Sequence, residues 1–218
     1  MIRGAIFDLD GTVLDSMPVW NKLASTYLHS IGCTPRADVD DAVSALSLHQ
    51  AARYFQTEYG ISLSEQEIID GVNALIRRFY EQEVQPKKGV EQFSNELSRR
   101  GVRMCIATAT DTCLAKAALT RCGLMQYFDA IITCSQFGTG KDQPLIYREA
   151  LSALGTGKAE TLVFEDAPHA LQTARADGFL TVAVRDDSQL NWPALTEVAD
   201  YAMCDYSNAD FWCFADKL

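Results

Sequence analysis

The sequence predicts an α/β fold: a doubly wound parallel sheet with an all-helical insert after its first strand. Three observations predict it. Short apolar runs alternate with amphipathic stretches from residue 87 onward, glycines close those stretches, and residues 15–85 carry no strand pattern at all.

Residues 3–7 form a short apolar run that stops at Asp8-Leu9-Asp10-Gly11-Thr12, where the glycine supplies a turn. Further runs of strand type lie at 102–107, 130–133, 161–164 and 179–184. Between them, residues 90–100, 112–122, 144–154 and 168–177 place apolar side chains three and four apart, and Gly101, Gly123, Gly155 and Gly178 follow as helix stops. Strand and helix in alternation build a Rossmann-like sheet through right-handed crossovers, with helices on both faces. In the insert, Trp20, Leu23, Tyr27 and Ile31 share a helical face before Gly32. Val39, Val43 and Leu46 begin a second helix, and residues 48–59 form a third that ends at Gly60. Ser64 with Glu67 makes a capping box for a fourth, striped by Ile68, Val72, Leu75, Ile76 and Phe79. The expected division is 1–14 with 87–218 as the α/β core and 15–86 as the helical insert, joined by linkers at 14–18 and 86–89.

Composition bounds the function. The 218 residues are 48% hydrophobic, enough for a sizeable core, and no run approaches the roughly 18 apolar residues of a membrane span. With 19 Lys and Arg against 29 Asp and Glu the net charge is −10, which argues against a nucleic-acid partner. The basic doublets Arg77-Arg78, Lys87-Lys88 and Arg99-Arg100 read as solvent-facing pairs at helix ends. Seven cysteines, an odd number without CxxC spacing, fit reduced thiols, with Cys105 and Cys134 in the core. A carboxylate at Asp8 interrupts the N-terminus before a signal peptide could form. A cytoplasmic monomer that does not engage membranes is expected.

In an open parallel sheet ligands bind beyond the carboxyl ends of the strands. There the sequence places Asp8 and Asp10 after the first strand and Thr108 after the second. Lys141 follows in the loop after the third, and Glu165 and Asp166 come after the fourth. Asp-Gly is a common turn dipeptide, so Asp8 and Asp10 alone are explained by a turn, and Thr110 and Asp111 are well placed to cap a helix. The ordered set is not explained that way.

FDLDGT at 7–12, IATAT at 106–110, GK at 140–141 and VFEDA at 163–167 together resemble the haloacid dehalogenase-like superfamily. The match is to the branch whose helical cap is inserted after the first motif, and it covers essentially the whole chain. It implies a magnesium-dependent phosphatase that hydrolyses a small phosphorylated metabolite, such as a sugar phosphate, through an aspartyl phosphate. It makes Asp8 the nucleophile and Asp10 the acid and base. Thr108, Ala109 and Lys141 become the phosphate-binding groups. Asp8, the Asp10 carbonyl, Glu165 and Asp166 become the Mg2+ site. The chemistry needs such a set. Phosphate monoesters are so inert that enzymes accelerate their hydrolysis by up to about 10²¹, and a covalent route divides that barrier. A carboxylate approaching a phosphate dianion is repelled, so positive charge must be supplied to both, which is the task of the cation and Lys141.

Asp10 sets the chain apart from dehalogenases and phosphonoacetaldehyde hydrolases, which lack the second aspartate; the latter also need a cap lysine, for which only Lys22 is offered. A β-phosphoglucomutase-like sugar-phosphate mutase shares all four motifs and is the alternative. Its cap arginine in a V-S-R-like stretch and its histidine after the first motif are missing, since residues 43–48 read VSALSL and 15–20 read DSMPVW. A catalytically idle binding relative is the third reading, and it predicts a lost catalytic residue. Residues 140–147 read GKDQPLIY where relatives usually have GKPxP and an acid, and Ala167 stands where a serine is common. His29, His49 and His169 show no ligand spacing, while His49, Arg53, Trp20 and Met17 are candidates for substrate contact from the insert.

Overall fold

The computed structural model describes residues 1–43, 46, 48–188 and 192–218. Of the 43–48 stretch compared with the mutase signature, Ser44, Ala45 and Ser47 lie outside the described residues. The chain divides into two units, Met1–Met17 with Val84–Leu218, and Pro18–Glu83.

The first unit is an α/β core. Its strands are β1 (Gly4–Phe7), β2 (Arg103–Thr108), β3 (Ala130–Thr133), β4 (Thr161–Glu165), β5 (Leu180–Val184) and β6 (Tyr201–Met203), all parallel in the order β3-β2-β1-β4-β5-β6. β1 and β4 are buried along their whole length, and Phe7 stacks on Phe164 with ring centroids 4.2 Å apart. Burial on both faces is why these strands read as unbroken apolar runs. The order reverses direction between β1 and β4, which opens a crevice beyond their carboxyl ends.

Three of the strands start one residue later than their apolar runs, and helix capping explains two of these shifts. The Val102 and Phe179 amides donate to the Leu97 and Ala174 carbonyls at 3.0 and 3.1 Å, closing the preceding helices through Gly101 (φ +75°) and Gly178 (φ +89°). These residues therefore belong to the caps. β6 escaped the sequence reading because it is three residues long and only Met203 is fully buried.

The second unit is all-helical, with α1 (Met17–Trp20) at its entry, then α2 (Leu23–Ser30), α3 (Val39–Val43), α4 (Leu48–Tyr59) and α5 (Glu65–Arg78), followed by a π-turn over Phe79–Glu83. Ser64 and Glu67 form the capping box of α5, and Ile68, Val72 and Ile76 are its buried stripe. Tyr27 stacks on Phe55 at 6.0 Å and crowds Gly71, where an added Cβ would stand 2.7 Å from the Tyr27 ring.

The remaining helices, α6 (Val90–Arg99), α7 (Thr112–Arg121), α8 (Leu145–Leu154), α9 (Pro168–Ala176), α10 (Trp192–Val198) and α11 (Asp210–Ala215), belong to the core. The linker strands are bonded to each other, Asp15 N–H to the Gln85 carbonyl and Lys87 N–H to the Val13 carbonyl, both at 2.9 Å. Here the expectation for the second basic doublet fails. The Lys87 side chain is 14% exposed and sits 2.8 Å from the buried Asp186 carboxylate. Desolvation of Asp186 demands a counter-charge, and the linker brings one. Among the described residues no helix is long and apolar enough to cross a membrane, and all seven cysteines are free thiols.

Candidate active site

The site grows out of the loop that ends β1. Asp8 N–H donates to the Phe164 carbonyl at 2.9 Å, continuing the sheet for one residue past the strand. The chain then doubles back. Val13 and Leu14 amides donate to the Leu9 carbonyl at 2.9 and 2.8 Å, and Gly11 N–H reaches Leu14 O at 2.9 Å. Gly11 has φ +79°, and a Cβ there would run into the Asp166 carboxylate, 2.7 Å from its carbon. Glycine is required twice over, by the backbone angle and by the approach of the acid from β4.

Asp8, Glu165 and Asp166 are all buried, and each offers a carboxylate oxygen within 4.8 Å of the others. Lys141 enters from the loop after β3 with its side chain 8% exposed; its ammonium donates to Asp8 and, at 2.7 Å, to Glu165. One cation thus faces three carboxylates. Burial pushes the Asp8 carboxyl well above the ordinary range, an effect Lys141 opposes and Glu165 and Asp166 reinforce. Burial followed by Glu165 lifts Asp166 to about 7. Burial alone would lower Lys141, but Asp8 and Glu165 outweigh it and hold the ammonium above the usual lysine range. Three oxygen donors at single-ion spacing in a pocket short of positive charge fit a hard divalent cation such as magnesium.

Asp10 points elsewhere. Its two carboxylate oxygens accept the Ser16 hydroxyl at 2.7 Å and the Thr110 hydroxyl at 2.6 Å. It is not one of the three clustered carboxylates, so its backbone carbonyl remains the atom by which the resemblance would bring it to a cation. Thr108 is fully buried at the end of β2, and its oxygen accepts the Thr110 amide at 3.0 Å, leaving its own proton to be donated. Ala109 between the two threonines is exposed. The Thr12 hydroxyl lies 3.5 Å from Asp166, and its carbonyl accepts the Tyr206 hydroxyl at 2.9 Å.

Several participants escaped the sequence reading. Ser16, Thr110, Tyr147 and Tyr206 contact the site residues by hydroxyl hydrogen bonds, Tyr147 donating to Glu165 at 2.8 Å. Thr110 was expected as a helix cap along with Asp111. In fact Thr110 serves Asp10, and Asp111 takes the N-cap position of α7 with no side-chain cap bond. No local signal marks Tyr206, which is 194 residues from its partner. In the helical unit, Arg53 pairs with Glu65 at 2.7 Å, His49 lies 3.5 Å from the same carboxylate, and Trp20 donates to the Tyr80 hydroxyl at 3.0 Å.

Known proteins resemble this chain. The family model for haloacid dehalogenase-like hydrolases matches residues 5–184, and the chain belongs to that family. It is 23% identical to hexitol phosphatase B of Escherichia coli K12 over 155 residues, 70% of each protein. To a phosphoglycolate phosphatase of Rhodobacter capsulatus it is 29% identical over 158 residues, 71% of this chain and 72% of that one. A Thermotoga maritima crystal structure, of a protein provisionally named a beta-phosphoglucomutase, superimposes with a TM-score of 0.86 at 21% identity, covering 98% of this chain and 99% of that one. At that identity the last match speaks to the fold alone.

Proposed function

We propose that this chain is a magnesium-dependent phosphatase that hydrolyses a small phosphorylated metabolite of the sugar or polyol phosphate kind through a phosphorylated aspartate. The observation that carries the reading is the bridge of Lys141 between Asp8 and Glu165, with Asp166 at single-ion spacing. Curated relatives named as hexitol and phosphoglycolate phosphatases support the class of substrate.

In this reading Asp8 attacks phosphorus, the bond to the ester oxygen breaks, and Asp10 gives its proton to the departing oxygen. Asp10 then takes a proton from the water that attacks the phosphoaspartate, which returns Asp8 and releases inorganic phosphate. The Ser16 and Thr110 hydroxyls hold Asp10 in place for both transfers. Thr108 donates its hydroxyl to a phosphoryl oxygen, the Ala109 backbone lines the same position, and Lys141 neutralises charge between nucleophile and phosphoryl group. Asp8, the Asp10 carbonyl and Asp166, with Glu165 behind them, would hold a magnesium ion. The ion supplies the charge that lets one anion approach another. We assign residues 15–86 the role of a cap that selects the leaving group.

Asp8→Asn removes the nucleophile while keeping its shape. The variant is expected to lose magnesium-dependent turnover of p-nitrophenyl phosphate by at least about 10³-fold with an unchanged circular dichroism spectrum. Turnover near that of the wild type would assign the nucleophile to another residue.

A further inference from the structure

We propose that Asp186 strengthens cation binding at Asp8, Glu165 and Asp166 from outside the set of ligands, and that Lys87 tempers this effect. The pair thereby sets the magnesium concentration the site needs, an inference that rests on the cation site of the phosphatase reading above.

Asp186 leaves the sheet at the rim that carries the site. β4 and β5 are parallel neighbours with Glu165 opposite Ala183, and beyond β5 the Arg185 N–H still donates to the Met203 carbonyl at 3.0 Å. Strands lie about 4.8 Å apart and rise about 3.3 Å per residue, so this register sets the Asp186 Cα roughly 8 Å from that of Asp166. Asp186 is not one of the three clustered carboxylates. Its side chain is only 2% exposed, however, so salt and bulk water screen its charge poorly.

The surroundings keep that charge. Burial alone would raise the Asp186 carboxyl, but bonds from Lys87 and Ser188 outweigh it and hold the group below the usual carboxylate range. The Ser188 amide, at 2.9 Å, and hydroxyl donate to one oxygen. The Lys87 ammonium lies 2.8 Å from the other and donates to the Arg185 carbonyl at 2.7 Å. Behind burial and Glu165, Asp186 is among the anions that push Asp166 up, so the two carboxylates interact across the rim. A nearby anion that makes Asp166 harder to ionise on its own makes a divalent cation more welcome there. The opposing charge is held at a fixed place, because the Lys87 N–H donates to the Val13 carbonyl at 2.9 Å, next to Thr12, whose hydroxyl lies 3.5 Å from Asp166.

The test measures magnesium binding by titration calorimetry at pH 8 in wild type, Asp186→Asn, Lys87→Gln and the double variant. Both substitutions keep hydrogen-bonding capacity, and Lys87→Gln leaves Asp186 its bonds from Ser188. Asp186→Asn should raise the magnesium Kd at least about fivefold, Lys87→Gln should lower it at least about threefold, and the double variant should fall between them. A merely structural pair would weaken binding in both single variants. Shifts of the two in the same direction, or a Kd in Asp186→Asn within twofold of wild type, would overturn the role of the pair while leaving a phosphatase. Should Asp186→Asn fail to fold, a raised or unchanged Kd in Lys87→Gln would overturn it alone. The expected shifts without magnesium-dependent turnover of p-nitrophenyl phosphate, a hexitol 6-phosphate or phosphoglycolate would overturn the phosphatase reading and leave the cation site. Absence of magnesium binding by wild type would overturn both.

Discussion

Replacing Thr110 with valine tests whether the Asp10 carboxylate must be held in order to work. The change keeps the branched side chain of a residue that is 8% exposed and removes one hydroxyl. That hydroxyl makes one of two short bonds to the Asp10 carboxylate, at 2.6 Å, while Ser16 makes the other at 2.7 Å. A hydrogen bond to a charged group contributes roughly 1.5–3 kcal/mol, and each 1.36 kcal/mol is tenfold in rate. Part is retained because Ser16 still holds one oxygen, so kcat should fall about 10- to 100-fold. KM should fall along with kcat, because slowing dephosphorylation alone lowers both and leaves kcat/KM little changed. Ser16→Ala is expected to behave alike, and the double variant should lose less than the product of the two, since either change frees the same carboxylate. The assay is rapid-mixing kinetics with p-nitrophenyl phosphate, whose good leaving group needs little protonation. The nitrophenolate burst from phosphorylation of Asp8 should persist while the steady state, which needs Asp10 as base, slows. A kcat within twofold of wild type, or burst and steady state falling together with a raised KM, would refute the clamp.

Two further outcomes follow from contacts away from the reacting atoms. Tyr147→Phe keeps the ring in place and deletes its bond to buried Glu165, so it should lower stability in urea denaturation by about 1–3 kcal/mol and raise the magnesium concentration for half-activation. An unchanged denaturation midpoint would show that the bond contributes nothing. Asp177 accepts bonds from Arg148, at 3.0 and 3.1 Å, and from Lys158 at 2.7 Å, and these hold its carboxyl down to about 2. A carboxyl lowered on folding stabilises the protein above its unfolded pKa of about 3.9 and ceases to do so as pH falls through about 2. Asp177→Asn should therefore cost about 1 kcal/mol at pH 7, with both cations partly exposed, and the gap to wild type should close between pH 4 and 2. A gap independent of pH would place the effect in packing instead.

The first five strands, the helical insert, the capping box at Ser64 and the motif residues after β1, β2, β3 and β4 were legible in the sequence, because each depends on a local pattern. Apolar runs mark buried strands, a period of 3.6 marks helices, and glycines mark stops. Asp8, Lys141, Glu165 and Asp166 were identifiable one at a time by their places after strands. What brings them together is the strand order, which sets β1 beside β4 and turns residues more than 150 positions apart into neighbours. No periodicity encodes that order. The same holds for the hydroxyls. Thr110 looked like a cap because a threonine before a helix usually is one, and only the tertiary arrangement shows that Asp10 accepts its proton. Lys87 looked solvated until the fold set Asp186 beside it. Sequence alone determined the elements up to β5 and the charged residues that follow the strands, since those depend on each residue's own chain neighbours. Tertiary structure decided which of these groups share a proton or a charge, since hydrogen bonds and ion pairs depend on separations of a few ångström that no spacing along the chain fixes.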